Sequence, residues 1–204
     1  MARNKSGHHE MIIAAARQEF MTYGFTEASM RRIADAAGMS ASGLYKHFPG
    51  KEEMFAALVE PACQGLTALY CQEETAEREA LRAGTLTQKW ETGGEAKMAM
   101  TYIYDHLDAF RLLICKSQGT RYESFLHDLA VEEEKTTVAM MRLLRERGLQ
   151  VNDVDPKEFH LLVTANVSAV FQAVEHGFTR EEAMRYADTL DRFFTKGWQE
   201  LFGY

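Results

Sequence analysis

The chain carries a short run of hydrogen-bond donors between positions 42 and 47. Ser42, Tyr45, Lys46 and His47 lie beside the small residue Gly43. Hydroxyl and imidazole groups donate to phosphate oxygens, and a lysine ammonium reaches a phosphate or the edge of a guanine. Small residues keep one helix face thin, which a groove of nucleic acid requires of a helix that enters it. The run therefore favours contact with nucleic acid over the alternative, an ordinary solvated helix face.

Two residues in this region are locally unfavourable for a helix. Gly43 costs about 1 kcal/mol relative to alanine, which close approach to DNA or close packing against the first helix would explain. Lys51 precedes Glu52 and Glu53 at the start of a further helix, where a lysine opposes the positive end of the helix dipole. A phosphate at this terminus would accept hydrogen bonds from the backbone and the ammonium together. The pattern predicts that Lys51 contacts a phosphate.

Three short helices must position these side chains. Apolar residues at helical spacing predict a first helix over about residues 8–23, which stops at Gly24. Ser29 is placed to cap a second helix, and Ser40 to cap a third that runs to about Phe48. Two short helices joined by a glycine-containing turn form a helix-turn-helix pattern.

Charge is unevenly distributed along the chain. The formal net charge is −7. Residues 1–50 contain six Lys or Arg and four Asp or Glu, which gives +2 and leaves −9 on residues 51–204. A basic head on an acidic body suits a protein whose head alone meets a polyanion, although uneven surface charge without a function gives the same numbers.

Length and composition exclude several classes of protein. The 204 residues are 46% hydrophobic and 26% charged, which is enough to bury a core. The longest uncharged apolar stretch, residues 161–174, is shorter than the roughly 20 residues of a membrane span. No apolar leader is present, and the three cysteines lack metal-ligand spacing. We expect a soluble, cytoplasmic, all-α protein.

Catalytic patterns are weak throughout the sequence. Asp105, His106 and Asp108 fall on one predicted helix, where only the two aspartates share a face. The run 132–134 consists of three glutamates and is typical of a solvated helix surface, and no phosphate-binding glycine loop is present. We expect no enzyme, no metal and no cofactor.

The stretch from Ile12 to Phe55 resembles the DNA-binding head of TetR-family transcriptional regulators. The resemblance is dense and specific, but it covers less than a quarter of the chain. The matching residues are Ala15-Ala16, Phe20, Gly24-Phe25, Ser29-Met30, Ile33-Ala34, Ala37-Gly38-Met39-Ser40, Ser42-Gly43-Leu44-Tyr45-Lys46-His47-Phe48 and Lys51-Glu52-Glu53-Met54.

The resemblance implies a DNA-binding set on the second and third helices and at the start of the fourth. Arg31 would contact the major groove or a phosphate. Alanine at position 41 offers at most an apolar contact to a thymine methyl, so we expect Arg31 and Lys46 to share the readout. A basic N-terminal arm with Arg3 and Lys5 would share it too, unless the arm is a disordered terminus. The full set is Ser29, Arg31, Ala41, Ser42, Gly43, Tyr45, Lys46, His47 and Lys51.

The remainder of the chain predicts further helices, in a domain over residues 51–204 that follows the head at 1–50. Asp155 and Pro156 form a start signal for one of them, and Thr179 with Glu182 forms a capping box for the last. The predicted elements are a helix at 51–81 with a kink at Pro61, a loop at 84–94, and helices at 98–113, 122–147, 156–176 and from Thr179 onward.

Apolar residues of the body suggest two further sites. TetR-like proteins dimerise through a terminal helix pair, which implies an interface here, although the same residues would also suit the interior of a single chain. The interface would contain Phe159, Val163, Val170, Tyr186, Leu190, Phe194 and Trp198. A pocket for a small-molecule effector would be lined by Trp90, Met98, Tyr102, Phe110, Tyr122 and Phe125, which would equally suit plain core.

The sequence therefore predicts a dimeric regulator that binds a double-stranded operator. The resemblance implies a repressor released from DNA by an effector that is not identified. The alternative is a helical adaptor whose head binds protein instead of DNA.

Overall fold

A computed structural model describes residues 3–84 and 94–203 of the chain. Every regular element within these ranges is an α-helix, which confirms the all-α prediction. No helix in the described ranges is both long and apolar enough to cross a membrane. The helices are α1 (Arg3–Glu27), α2 (Met30–Ala36), α3 (Ala41–Leu44), α4 (Lys51–Ala83), α5 (Glu95–Asp105), α6 (Leu107–Cys115), α7 (Phe125–Glu146), α8 (Pro156–Glu175) and α9 (Arg180–Phe202).

The chain divides into two compact units. The first contains residues 1–64 together with 106–123, and the second contains residues 65–105 together with 124–204. The first unit thus includes the whole predicted head and adds the start of α4, helix α6 and the connection that follows α6.

Helix α1 is longer than predicted but breaks where expected. Its backbone is helical from Arg3, so the backbone of the predicted arm from that residue onward is part of the helix. Gly24 has φ +71°, a conformation that residues with a side chain rarely adopt, and it interrupts the helix. A further turn carries the chain to Glu27.

Helix α3 is shorter than the predicted segment that ends near Phe48. Its Ser40 cap is confirmed, since the Ser40 hydroxyl accepts a hydrogen bond from Gly43 N at 3.1 Å. After Leu44 the chain continues in tighter turns, in which His47 N bonds to Leu44 O at 2.9 Å. Pro49 disfavours helical backbone at Phe48, the residue before it, but the regular helix already ends four residues earlier, at Leu44.

A buried carboxylate joins α1 to the start of α2. Glu19 is only 8% exposed, and it accepts hydrogen bonds from Ser29 N and from Arg32 Nε, each at 2.8 Å. This hydrogen bond from Arg32 to Glu19 raises the pKa of the guanidinium. The guanidinium also lies 4.4 Å from the ring centroid of Tyr23, a side chain that is 50% exposed. The cation thus has an aromatic face beside it as well as a carboxylate.

Helices α4 to α6 depart from the predicted pattern. Helix α4 continues through Pro61 as one element. The predicted helix 98–113 is two helices, because His106 adopts φ −122° and ψ 32°, outside the helical range, between α5 and α6.

Tyr102 of α5 packs against α4 so closely that a Cβ on Gly65 would lie 1.9 Å from the tyrosine hydroxyl. Only glycine therefore fits this crossing without moving the ring.

Helices α8 and α9 begin as the local sequence predicts. The Asp155 side chain accepts hydrogen bonds from Lys157 N and Glu158 N, with Pro156 in the first turn. The capping box of Thr179 and Glu182 is present in full, and its backbone hydrogen bond lowers the pKa of Glu182. These local signals need no tertiary partner, which is why the sequence revealed them.

Side chains from distant parts of the second unit fix its helices to one another. Both carboxylate oxygens of Asp191 on α9 accept hydrogen bonds at the start of α5, from Ala96 N at 2.9 Å and Lys97 N at 3.3 Å. The Tyr104 hydroxyl donates to Phe178 O at 2.9 Å and approaches Ala173 O at 3.3 Å. Helix ends in this unit are thus satisfied by residues far away in the sequence.

Glu19→Ala should destabilise the protein by about 2–3 kcal/mol, because it leaves the Ser29 amide and the Arg32 guanidinium without their buried acceptor. Glu79→Ala, on an exposed position of α4, is the matched control and should change stability by no more than about 0.5 kcal/mol. Urea denaturation followed by circular dichroism measures both. Equal midpoints for the two variants would show that Glu19 does not hold the connection together.

Candidate nucleic-acid interface

Helix α3 and the turns that follow separate an inner from an outer face. Leu44 and Phe48 are buried, as predicted. Ser42, Lys46 and His47 are exposed, and Tyr45 is 52% exposed. Ala41 and Gly43 are half-buried at the same surface.

The exposed donors of this surface are not used inside the protein. Within the described residues, the side chains of Ser42, Tyr45, Lys46 and His47 have no hydrogen-bond or ion-pair partner. Exposed hydrogen-bonding groups without intramolecular partners remain available to a ligand. We therefore define the α2–α3 face as these four residues together with Arg31.

Arg31 and its neighbour Arg32 have opposite environments. Arg31 is exposed and has no hydrogen-bond or ion-pair partner among the described residues. Arg32 is bound to Glu19 and donates through Nη2 to Glu27 O at 2.8 Å. Of the two adjacent arginines, only Arg31 has a guanidinium available to an external anion.

Ser29 and Gly43 have local structural roles. The Ser29 hydroxyl caps α2 by accepting from Arg32 N at 3.5 Å. A Cβ added to Gly43 would meet only the Ser40 hydroxyl, at 3.2 Å, and no atom of α1 within 4 Å. Packing against the first helix therefore does not explain this glycine, whereas close approach of a ligand remains an explanation.

Lys51 has contacts within the protein that the sequence did not reveal. Its ammonium donates to Thr26 O at 2.9 Å and Ala28 O at 3.2 Å, and it lies 4.6 Å from the ring centroid of Phe25. The local argument correctly found an unusual lysine at the start of a helix. The partner that explains it is the end of α1, which a pattern limited to neighbouring residues does not reveal.

Most of the predicted interface residues on α8 and α9 belong to the interior of the second unit. A single chain buries four of them to 6% exposure or less: Phe159, Val163, Val170 and Leu190. Three others, Tyr186, Phe194 and Trp198, are half-buried. The large apolar residues left exposed on these helices are Leu161 at 67%, Leu162 at 42% and Phe193 at 71%. Four of the seven predicted residues thus pack against the rest of their own chain, and an interface between two chains stays a prediction.

The predicted effector-pocket residues do not all fall in one unit. Trp90 lies outside the described residues. Phe110 and Tyr122 are in the first unit, where Phe110 is fully buried and the Tyr122 hydroxyl donates to Glu60 at 3.1 Å. The other three are half-buried in the second unit: Met98, Tyr102 and Phe125.

A groove in the second unit is lined mainly by polar residues, whereas the predicted pocket is lined by aromatic residues and a methionine. It is open, encloses about 760 Å³, and is lined mainly by charged residues of α5 and α9. Its lining consists of Gly94, Lys97, Arg185, Asp188, Thr189, Asp191 and Arg192. No group of three or more metal-ligating side chains suited to a metal ion occurs in the described part of the chain.

Comparison with known proteins places the head in a family. Residues 12–58 match the bacterial regulatory proteins of the TetR family. This match covers 47 of the 204 residues, which is less than a quarter of the chain. This match agrees with the expectation that the protein is a regulator and not an enzyme.

The wider similarity of the chain is to TetR-type regulators. An HTH-type transcriptional repressor of Mycobacterium tuberculosis is 31% identical over 68 residues, which cover 33% of this chain and only 36% of that relative. The TetR-family regulator PfmR of Thermus thermophilus has a TM-score of 0.55 at 23% identity, covering 89% of this chain and 97% of its own. NalD, the secondary repressor of a multidrug efflux pump in Pseudomonas aeruginosa, has a TM-score of 0.54 at 16% identity, covering 93% of this chain and 96% of its own. At these identities the structural likeness shows that the chain has the TetR-type fold.

Arg31→Ala and Arg32→Ala should separate ligand contact from folding in the TetR head. We expect Arg31→Ala to leave the melting temperature unchanged and to weaken DNA binding, because its guanidinium has no partner among the residues that the structure describes. Arg32→Ala should lower the melting temperature, since it removes the partner of buried Glu19. Thermal denaturation and DNA titration of both variants check this, and equal melting temperatures would contradict it.

Proposed function

We propose that this protein is a sequence-specific DNA-binding transcriptional regulator that reads its operator with the α2–α3 face. The observation that carries the proposal is the set of exposed donors on that face, Arg31 and Lys46 above all, which have no partner among the described residues. The TetR-family match of residues 12–58 supports it independently.

The side chains of the face have different roles in this proposal. Tyr45 and His47 donate to phosphates and fix the register of the protein on the duplex. Arg31 and Lys46 reach a phosphate or a guanine edge, and Ala41 offers only an apolar contact to a thymine methyl. With so few side chains able to hydrogen-bond to bases, the shape of the operator contributes a large share of the specificity.

Binding to the DNA immediately upstream of the coding sequence, titrated across salt with unrelated DNA as control, tests this function. We expect tight binding to the first and weak binding to the second. Lys46→Ala should reduce the slope of log K against log salt by about 0.9 per head, because one phosphate contact is lost from each. Equal weak binding to both DNAs would contradict sequence-specific reading, and no binding at low salt would favour the protein-binding adaptor.

We propose that the regulator acts as a homodimer through the outer face of α8 and α9. Two heads are needed to meet two half-sites on a duplex. Leu161 and Leu162 on α8 and Phe193 on α9 are large apolar residues left exposed by the single chain. Two copies of this helix pair around a two-fold axis would bury them in a four-helix arrangement.

Phe193→Asp should convert the dimer to monomers, because it places an uncompensated charge at the centre of the proposed interface. Leu149→Asp, at a residue that is 53% exposed beyond the end of α7, is the matched control and should leave the dimer intact. Light scattering measures the molar mass of both. A dimer that survives Phe193→Asp would place the interface elsewhere.

We further propose that the regulator is a cytoplasmic repressor released by a small molecule. The similarity to a transcriptional repressor over 68 residues supports the direction of regulation. An effector releases the DNA only if it binds better to a state in which the two heads are wrongly placed for the operator. Met98, Tyr102 and Phe125, half-buried in the second unit, are the predicted pocket residues around which we expect it to bind.

A further inference from the structure

The end of α1 is held by cations from two different helices. Lys51 donates to Thr26 O and Ala28 O, and Arg32 donates to the carbonyl between them, Glu27 O. Three successive carbonyls at the carboxyl end of a helix therefore accept from positively charged side chains. Such carbonyls lack partners within the helix, and a cation there is favoured by the helix dipole.

The Lys51 ammonium is enclosed by this site on more than one side. In addition to the two carbonyls, the face of the Phe25 ring lies beneath it at 4.6 Å from the centroid. Two of its three N–H groups are used by the carbonyls, and the aromatic face attracts the same charge. Two of the three donors of this ammonium are thus bound within the protein and are not available to a phosphate.

The connection between α1 and α2 is what these contacts restrain. Phe25 N donates to Lys116 O at 3.0 Å, and the Thr26 hydroxyl donates to Gln118 O at 3.1 Å. Ser29 N, one residue before α2, is bound to Glu19. Lys51 is the first residue of α4, so its contacts tie the start of α4 to the segment that leads directly into α2.

We propose that Lys51 is a positioning residue for DNA binding and not a phosphate ligand. It holds the α1–α2 connection against the start of α4, and thereby fixes the orientation in which α2 and α3 present Arg31 and Lys46. This inference rests on the proposed DNA-binding function, but it assigns Lys51 a role within the protein.

The test compares Lys51→Met with Lys46→Met on the upstream DNA across a salt series. Methionine keeps most of the apolar stem in each case and removes the charge and the donors. We expect Lys51→Met to weaken binding roughly tenfold, from the lost charged hydrogen bonds, with the salt slope unchanged. Lys46→Met should lower the slope by about 0.9 per head. Lys51→Arg, which can still donate to both carbonyls and lie over the Phe25 ring, should recover affinity to within about threefold.

Two results of this comparison between the methionine variants would overturn the proposal. A slope lowered equally by Lys51→Met and Lys46→Met would make Lys51 a phosphate ligand, and unchanged affinity in Lys51→Met would leave it without a role. Phe25→Leu provides a second variant in case Lys51→Met is poorly folded, and it should weaken binding with the slope unchanged. An unchanged affinity, or a lowered slope, would count against the proposal.

Hydrogen exchange of the amides of residues 25–30 separates this proposal from the proposed function. Lys51→Met should speed their exchange, and Lys51→Arg should restore it, whether or not the wild-type protein binds the chosen DNA. Unchanged exchange in Lys51→Met would overturn the positioning role alone. Absence of specific binding by the wild-type protein would instead overturn the proposed function.

Discussion

The structure of the head depends on the buried carboxylate of Glu19. A charged group that is 8% exposed is stable only if its oxygens are well bonded, and both the Ser29 amide and the Arg32 guanidinium bond to it. Because the amide is at the start of α2 and the carboxylate is on α1, the bond sets where α2 begins relative to α1. The direction of the next two helices follows from that start, and so does the position of every donor on the α2–α3 face.

Chemically identical residues have different roles in this head according to what lies near them in space. Arg31 and Arg32 are adjacent, yet Arg32 is bound to Glu19 and Arg31 has no partner in the described chain. Lys46 and Lys51 form a second such pair, since only Lys51 meets carbonyl oxygens of α1. The protein uses half of these cations to build the head and leaves the other half to a ligand. A count of cations along the sequence, such as the six Lys or Arg of residues 1–50, therefore overstates how many of them a polyanion meets.

The features that the sequence predicted correctly are those determined by a few consecutive residues. The Ser40 cap, the break at Gly24 and the box of Thr179 with Glu182 each depend on side-chain-to-backbone bonds or on backbone conformation within four residues. The features that it missed depend on distant contacts. The partner of Lys51 comes from residues 26 and 28, and the half-buried Tyr102 packs onto Gly65, which no local pattern connects. The break between α5 and α6 at His106 was likewise not predicted, because no proline or glycine lies at that position.

The outer face of α8 shows why an interface is harder to predict than a helix. Residues 161–174 are apolar almost all round, so helical spacing identifies the element but does not distinguish its inner side from its outer side. The packing of the single chain determines the inner side of α8, because it buries Phe159, Val163 and Val170. What remains for a partner is the apolar surface that the core could not include, Leu161 and Leu162. The dimer interface that we propose is therefore the apolar surface that monomer packing leaves exposed.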